Sequence, residues 1–152
     1  MIGAQALAQL VASLLVTIAG YTGYAIPGEP PTVRFVTHAV LDQRACQRPC
    51  PVLAFTTTGG EILLDMRLEV GVDAAATSIL VHELTHFLQQ AGGASPTPIT
   101  CATWMARERE AYDVQYWWLR ATAPNVRGLS ESLTRLGPHP ALPLCRAGAA
   151  SD

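Results

Sequence analysis

Charge is scarce in this chain. Only 14% of its 152 residues are Asp, Glu, Lys or Arg, the net charge is −2, and no basic run occurs. A protein that neutralises phosphates needs a basic patch, so the composition argues against nucleic acid as a partner. Internal repeats and low-complexity tracts are missing too, which removes solenoids and arrays. What is abundant is apolar surface, with a hydrophobic fraction of 49%. That is far from a disordered composition. The length suits one domain, residues 1–152, and is enough to bury a core without staples.

The first 28 residues lack any charged side chain. A signal peptide should begin with a positive region, and none is present. Gly23 and Ala25 nevertheless offer a small-residue cleavage site. An anchor needs about 20 mostly apolar residues, a length the stretch barely reaches. Its pattern favours a helix that covers a core. Leu7, Leu10, Val11, Leu14, Leu15 and Ile18 fall on one stripe, with Gln5, Gln9, Ser13 and Thr17 away from it. Residues 1–25 therefore read first as a core helix, with a signal or anchor segment, and so export or membrane association, as alternatives.

Cysteine is sparse but even in number: Cys46, Cys50, Cys101 and Cys145. Local pairing of Cys46 with Cys50 and of Cys101 with Cys145 would fit an oxidising compartment, and four reduced thiols are the other reading. A four-cysteine zinc site is disfavoured, because the lone C-x3-C has no matching second pair.

Proline and glycine divide the rest. "IPGEPP" breaks the backbone after the first helix. "TVRFVTHAVL" reads as a strand from its β-branched residues. "PVLAFTTTGGEILLD" reads as a hairpin around Gly59-Gly60. Asp73 can cap a helix running to about Gln90, ended by Gly92 and Gly93. Thr100 can cap a second long helix, from Cys101 to about Ala121, stopped at Pro124 and Asn125. A short helix near Ser130–Leu136 and a proline-rich tail follow. The order predicts an α+β fold: an N-terminal helix, a short antiparallel sheet or hairpin, then two long helices.

The first of those two helices contains "SILVHELTHFLQQAGG". His82 and His86, four residues apart, share one helix face one turn apart. Both imidazoles can then reach one ion at about 2.0–2.1 Å. Glu83 sits at the edge of that face, offset for a ligand but placed to take a proton from a water activated by the metal. Ile79, Leu80, Val81, Leu84, Phe87 and Leu88 make the helix apolar almost all round. Unpaired buried polar groups cost a few kcal/mol each, so a buried helix does not carry His-Glu-x-x-His by accident.

Two histidines leave such a site one protein ligand short. The next helix, "WMAREREAYDVQYWWL", offers Glu108 and Glu110. Trp104, Glu108, Ala111, Tyr112, Gln115 and Trp118 form one stripe at spacings of three and four. Small Ala111 would let the helices approach closely. Glu110 shares a more polar side with Arg107, Asp113 and Trp117 and reads as a solvated charge paired with an Arg. The stripe selects Glu108.

"HELTH" followed by "EREAY" resembles the gluzincin group of zinc metallopeptidases, over about residues 50–120. The short gap from His86 to Glu108 is similar to that of the minigluzincins and of small bacterial HExxH proteins. The resemblance implies zinc held by His82, His86 and Glu108, with Glu83 as general base and a peptide or protein as substrate. Those enzymes carry Glu-x-x-Ala-(Asp/Asn), whose last residue orients a ligand histidine. Here Tyr112 stands at that position, and Asp113 is displaced by one. Tyr112 or Gln115 could orient the histidine instead. Tyr112, His139 and His38 are candidates for stabilising an oxyanion. In such folds the strand before the HExxH helix often forms a sheet edge to which substrate adds as a strand, which would be Gly60 to Asp65 here. The rival to a peptidase is a zinc-containing binding or regulatory module without turnover.

Overall fold

A computed structural model of the protein describes residues 2–93 and 100–126. The expected short helix near residues 130–136, the proline-rich tail and Cys145 lie outside these residues.

Local chemistry sets the ends of the two long helices. Asp73 Oδ1 accepts from the Ala75 and Ala76 amides at 2.6 and 3.0 Å, satisfying donors that have no partner inside the helix. Helix α3 then runs Ala74–Ala91 and stops at Gly92 and Gly93, the latter with φ +69°. Thr100 and Thr103 form a reciprocal capping box that starts α4, Cys101–Thr122. Helices α3 and α4 make the most extensive packing in the molecule. Ala111 is fully buried, and so allows the close approach that places Glu108 against α3.

Helix α1, Ala4–Thr22, buries Val11, Leu14, Leu15 and Ile18 in the same core as Leu80, Val81, Leu84 and Leu88 of α3. Leu7 and Leu10 pack at its margin, while Gln5, Gln9 and Ser13 face solvent. The stripe therefore works as core. Among the described residues this is also the one helix long and apolar enough to cross a membrane.

The sheet has three strands, β1 Val33–Val36, β2 Ala54–Thr56 and β3 Ile62–Asp65, in the order β1-β3-β2. β2 and β3 form the expected antiparallel hairpin, with Gly60 at φ +81° in its loop. That positive φ is why glycine stands here; the Phe87 ring of α3 lies at ordinary contact distance, 3.4 Å, from where a Cβ would be. The sheet is mixed rather than antiparallel, because β1 pairs parallel with β3. The chain between them includes a helix and β2, the long crossover that parallel pairing demands. β3 is central and buried at every position, which fits its unbroken Ile-Leu-Leu run. Placing Gly60–Asp65 at a free edge is therefore incorrect: β3 is paired on both sides, and β2 is the edge beside the hairpin turn.

The strand expected over "TVRFVTHAVL" ends at Val36. Helix α2, His38–Leu41, follows and continues into a π-helical turn, Asp42–Cys46. Tertiary bonds override β propensity here. His38 Nδ1 meets Asp65 at 2.9 Å, and Asp42 Oδ1 accepts from the Cys50 amide at 2.9 Å. Cys46 and Cys50 are joined in a disulfide that closes this loop. Cys101 is disulfide-bonded as well.

Candidate metal centre

The α3 spacing and the α4 stripe meet at one point. One ligand atom each from His82, His86 and Glu108 lies within 4.8 Å of the others, and all three residues are buried. His86 Nε2 is 2.9 Å from Glu108 Oε1, His82 Nε2 is 3.4 Å from Glu108 Oε2, and the two Nε2 atoms are 3.1 Å apart. Ligands bound at 2.0–2.1 Å around a tetrahedral ion stand about 3.3 Å from one another. The two Nε2 atoms stand close to that edge length, and each has one Glu108 oxygen near the same distance. Two imidazole nitrogens facing each other across a carboxylate form a poor hydrogen-bond arrangement but a good donor set for a divalent cation. The residues present thus fit a metal ion.

Proton affinities in this cluster are governed by the carboxylate between the rings. Burial alone would push the Glu108 carboxyl up. The hydrogen bonds and charges of His82 and His86 outweigh it and hold the group below the usual range. Burial would likewise push the His86 imidazole down, but Glu108, the Glu83 charge and Gln89 together raise it. A metal ion at this point would compete with protons for the same ligand atoms.

Glu83 is 7% exposed, and its charge raises the proton affinity of both His86 and Tyr112. Its Oε2 accepts from Thr56 Oγ1 at 2.6 Å. The edge strand β2 thereby fixes the carboxylate. Sequence reasoning missed Thr56, and only its inward register in the hairpin could have hinted at it.

Tyr112 reaches the centre. Its ring lies against His82 with centroids 4.4 Å apart. Burial, then the Glu108 and Glu83 carboxylates, push its hydroxyl up to about 12, so it remains a neutral donor at ordinary pH. It does not orient His82 through Nδ1, which is buried without a hydrogen-bond partner among the described residues. Gln115 does not orient a ligand histidine either: its Nε2 donates to Ser78 Oγ at 3.0 Å, tying α4 to α3 one turn before His82. His38 is committed elsewhere, with Nδ1 on Asp65 and Nε2 3.0 Å from the Cys50 carbonyl. His139 lies outside the described residues.

Glu110 is not a solvated charge paired with an Arg. It is half-buried, and its Oε2 accepts from Tyr24 Oη and Gln89 Nε2, each at 2.7 Å. Gln89 is fully buried and also receives His86 Nδ1 at 2.9 Å. Neither contact was foreseen. A glutamine three residues after the second histidine, on the same helical face, was the available signal.

Compared with protein-family models, curated proteins and solved structures, the chain matches none of them.

Proposed function

We propose that this protein is a zinc-dependent metallohydrolase acting on peptide bonds, with His82, His86 and Glu108 as the zinc ligands. The observation that carries this reading is a carboxylate that is not a ligand. Glu83 is buried one residue from His82, its charge acts on His86, and Thr56 holds it. A structural zinc site would be closed by four protein ligands and would have no use for it.

Zinc bound there would act as a Lewis acid on a carbonyl oxygen and make water more acidic near neutral pH. The side chains do the rest. Glu83 accepts a proton from the attacking water and returns it to the departing amine. The Thr56 hydroxyl occupies Oε2 and leaves Oε1 to carry that proton. Tyr112, neutral and beside His82, donates to the oxygen on which negative charge develops.

The test is a mixed peptide library incubated with the zinc-loaded protein, with and without chelator, alongside Glu83→Gln. Cleavage that stops with chelator and is lost in a zinc-retaining Glu83→Gln supports the reading. A fully zinc-loaded wild type that leaves every peptide intact would establish the rival, a zinc-containing module without turnover.

A further inference from the structure

We infer that Gln89, Glu110 and Tyr24 form a positioning relay that fixes His86 in the tautomer able to bind metal, and so sets the metal affinity of the site from the segment that follows α1. This rests on the reading of His82, His86 and Glu108 as metal ligands.

Gln89 is fully buried in α3. A buried amide can face either way, and its partners decide. On one side Glu110 Oε2 stands 2.7 Å away and the Arg107 carbonyl 3.1 Å away. Both only accept. The NH2 of Gln89 must therefore point toward α4. Its Oε1 then faces Arg107 Nε, a donor, at 3.3 Å and His86 Nδ1 at 2.9 Å. Arg107 Nε cannot accept, so the assignment agrees at all four contacts. An acceptor opposite His86 Nδ1 requires that nitrogen to carry hydrogen. The lone pair of the neutral ring is then on Nε2, the atom that faces His82 and Glu108.

Glu110 reinforces the orientation that the two Arg107 contacts set, with the shortest bond to the amide, and Tyr24 holds Glu110. The Tyr24 hydroxyl donates to the same Oε2 at 2.7 Å. Burial and Glu110 push that hydroxyl up to about 12, so it stays a donor. The end of α1 just before this segment is held to α4 by Tyr21 stacked on Trp117, with centroids 4.3 Å apart. Three elements thus converge on one imidazole nitrogen: α3 with His86 and Gln89, α4 with Glu110, and the chain just beyond α1 with Tyr24.

Replacing Glu110 by Gln preserves size and hydrogen-bonding capacity. It also supplies an NH2 as well as an oxygen, so only the Arg107 contacts still fix the Gln89 amide and it turns over more readily. A turned amide presents NH2 to His86 Nδ1, moves the proton to Nε2 and blocks the ligand lone pair.

The experiment is a zinc competition titration against a chromophoric chelator, on the full chain, for wild type, Gln89→Met, Glu110→Gln and Tyr24→Phe. Gln89→Met should weaken zinc binding by about 10–100-fold, the range for partners that hold ligand histidines. Glu110→Gln should weaken it in the same direction, and Tyr24→Phe, one bond further away, should weaken it less. A purely structural role would lower the melting temperature but leave affinity unchanged in the folded protein. Val11→Ala, which loosens the core away from the relay, serves as that control. In zinc-loaded wild type the His86 Nδ1–H should give a protected proton resonance that Gln89→Met abolishes. Should Gln89→Met fail to fold, Glu110→Gln decides. Wild-type affinity in the folded variants, or a weakening by Val11→Ala as large as theirs, overturns the relay. Failure of the wild type to bind zinc would instead overturn the metal site itself.

Discussion

The Thr56 hydroxyl stands 2.6 Å from Glu83 Oε2, so a strand at the sheet edge controls a carboxylate on the helix behind it. Removing that hydroxyl leaves a buried carboxylate oxygen short of a donor, a loss of about 1–3 kcal/mol. Thr56→Val should therefore reduce kcat for peptide hydrolysis by about tenfold or more, the scale of that energy in a rate. Zinc content should not change. Thr56→Ser should restore most of the rate. Steady-state kinetics with elemental analysis checks both halves, and loss of zinc in Thr56→Val would show that the strand supports the ligands rather than the base.

Ligand and base should separate by substitution. Glu108 bridges both histidines, so Glu108→Ala removes a ligand and should release the metal. The His82→Ala/His86→Ala double variant should do the same. Glu83→Gln should keep a full equivalent of zinc while kcat falls by about 10²–10⁴, the usual contribution of a general base. Zinc-to-protein ratios after gel filtration, read beside the rate, distinguish these outcomes. A full zinc equivalent in Glu108→Ala would remove Glu108 from the ligand set.

These roles were legible to different depths. Periodicity alone placed His82 and His86 on one face, and the small Ala111 on the Glu108 stripe located the helix contact. Both are properties of a regular helix, which repeats predictably along the sequence. The caps at Asp73 and Thr100 were equally local. The roles of Thr56 and Glu110, and the α4 contacts that orient Gln89, were not legible, because each depends on a partner 18 or more residues away. Tyr24 and Glu110 are separated by 86 positions. The parallel pairing of β1 failed for the same reason, and the α2 turn exists because His38 and Asp42 find Asp65 and Cys50.

Asp65 gives the fold an acid limit. It is fully buried at the end of β3, bonded by Arg67 and by His38 Nδ1. The Arg67 hydrogen bond is the largest influence on its carboxyl. Burial opposes it, and the net result lies well below the usual carboxylate range. A carboxyl depressed in the folded state stabilises the protein above its unfolded pKa, about 3.9. That stability is lost as pH falls below this value and through the folded pKa. Urea denaturation between pH 7 and pH 2 should show a steeper acid limb for wild type than for Asp65→Asn. The variant should also be about 1–3 kcal/mol less stable at pH 7, through a weakened buried bond. Parallel limbs would mean that Asp65 does not govern acid stability.

The N-terminal helix should be indispensable to the domain. Val11, Leu14, Leu15 and Ile18 are each no more than 4% exposed and share one core with Leu80, Val81, Leu84 and Leu88 of α3. Burying one such side chain contributes about 1.5–3 kcal/mol. Four together approach the whole stability of an ordinary domain, about 5–15 kcal/mol. Deleting residues 1–25 also removes Tyr24, and with it one hydrogen bond to Glu110. The shortened chain should therefore lose cooperative thermal unfolding, bind hydrophobic dyes and fail to take up zinc. The single substitution Leu14→Ala should lower stability by about 2–5 kcal/mol, the range for a buried leucine, while the folded fraction still binds metal. Circular dichroism melts and zinc titration of both variants provide the check. A shortened chain that melts cooperatively near the wild-type temperature would show that the Leu/Val stripe covers the core without holding it together.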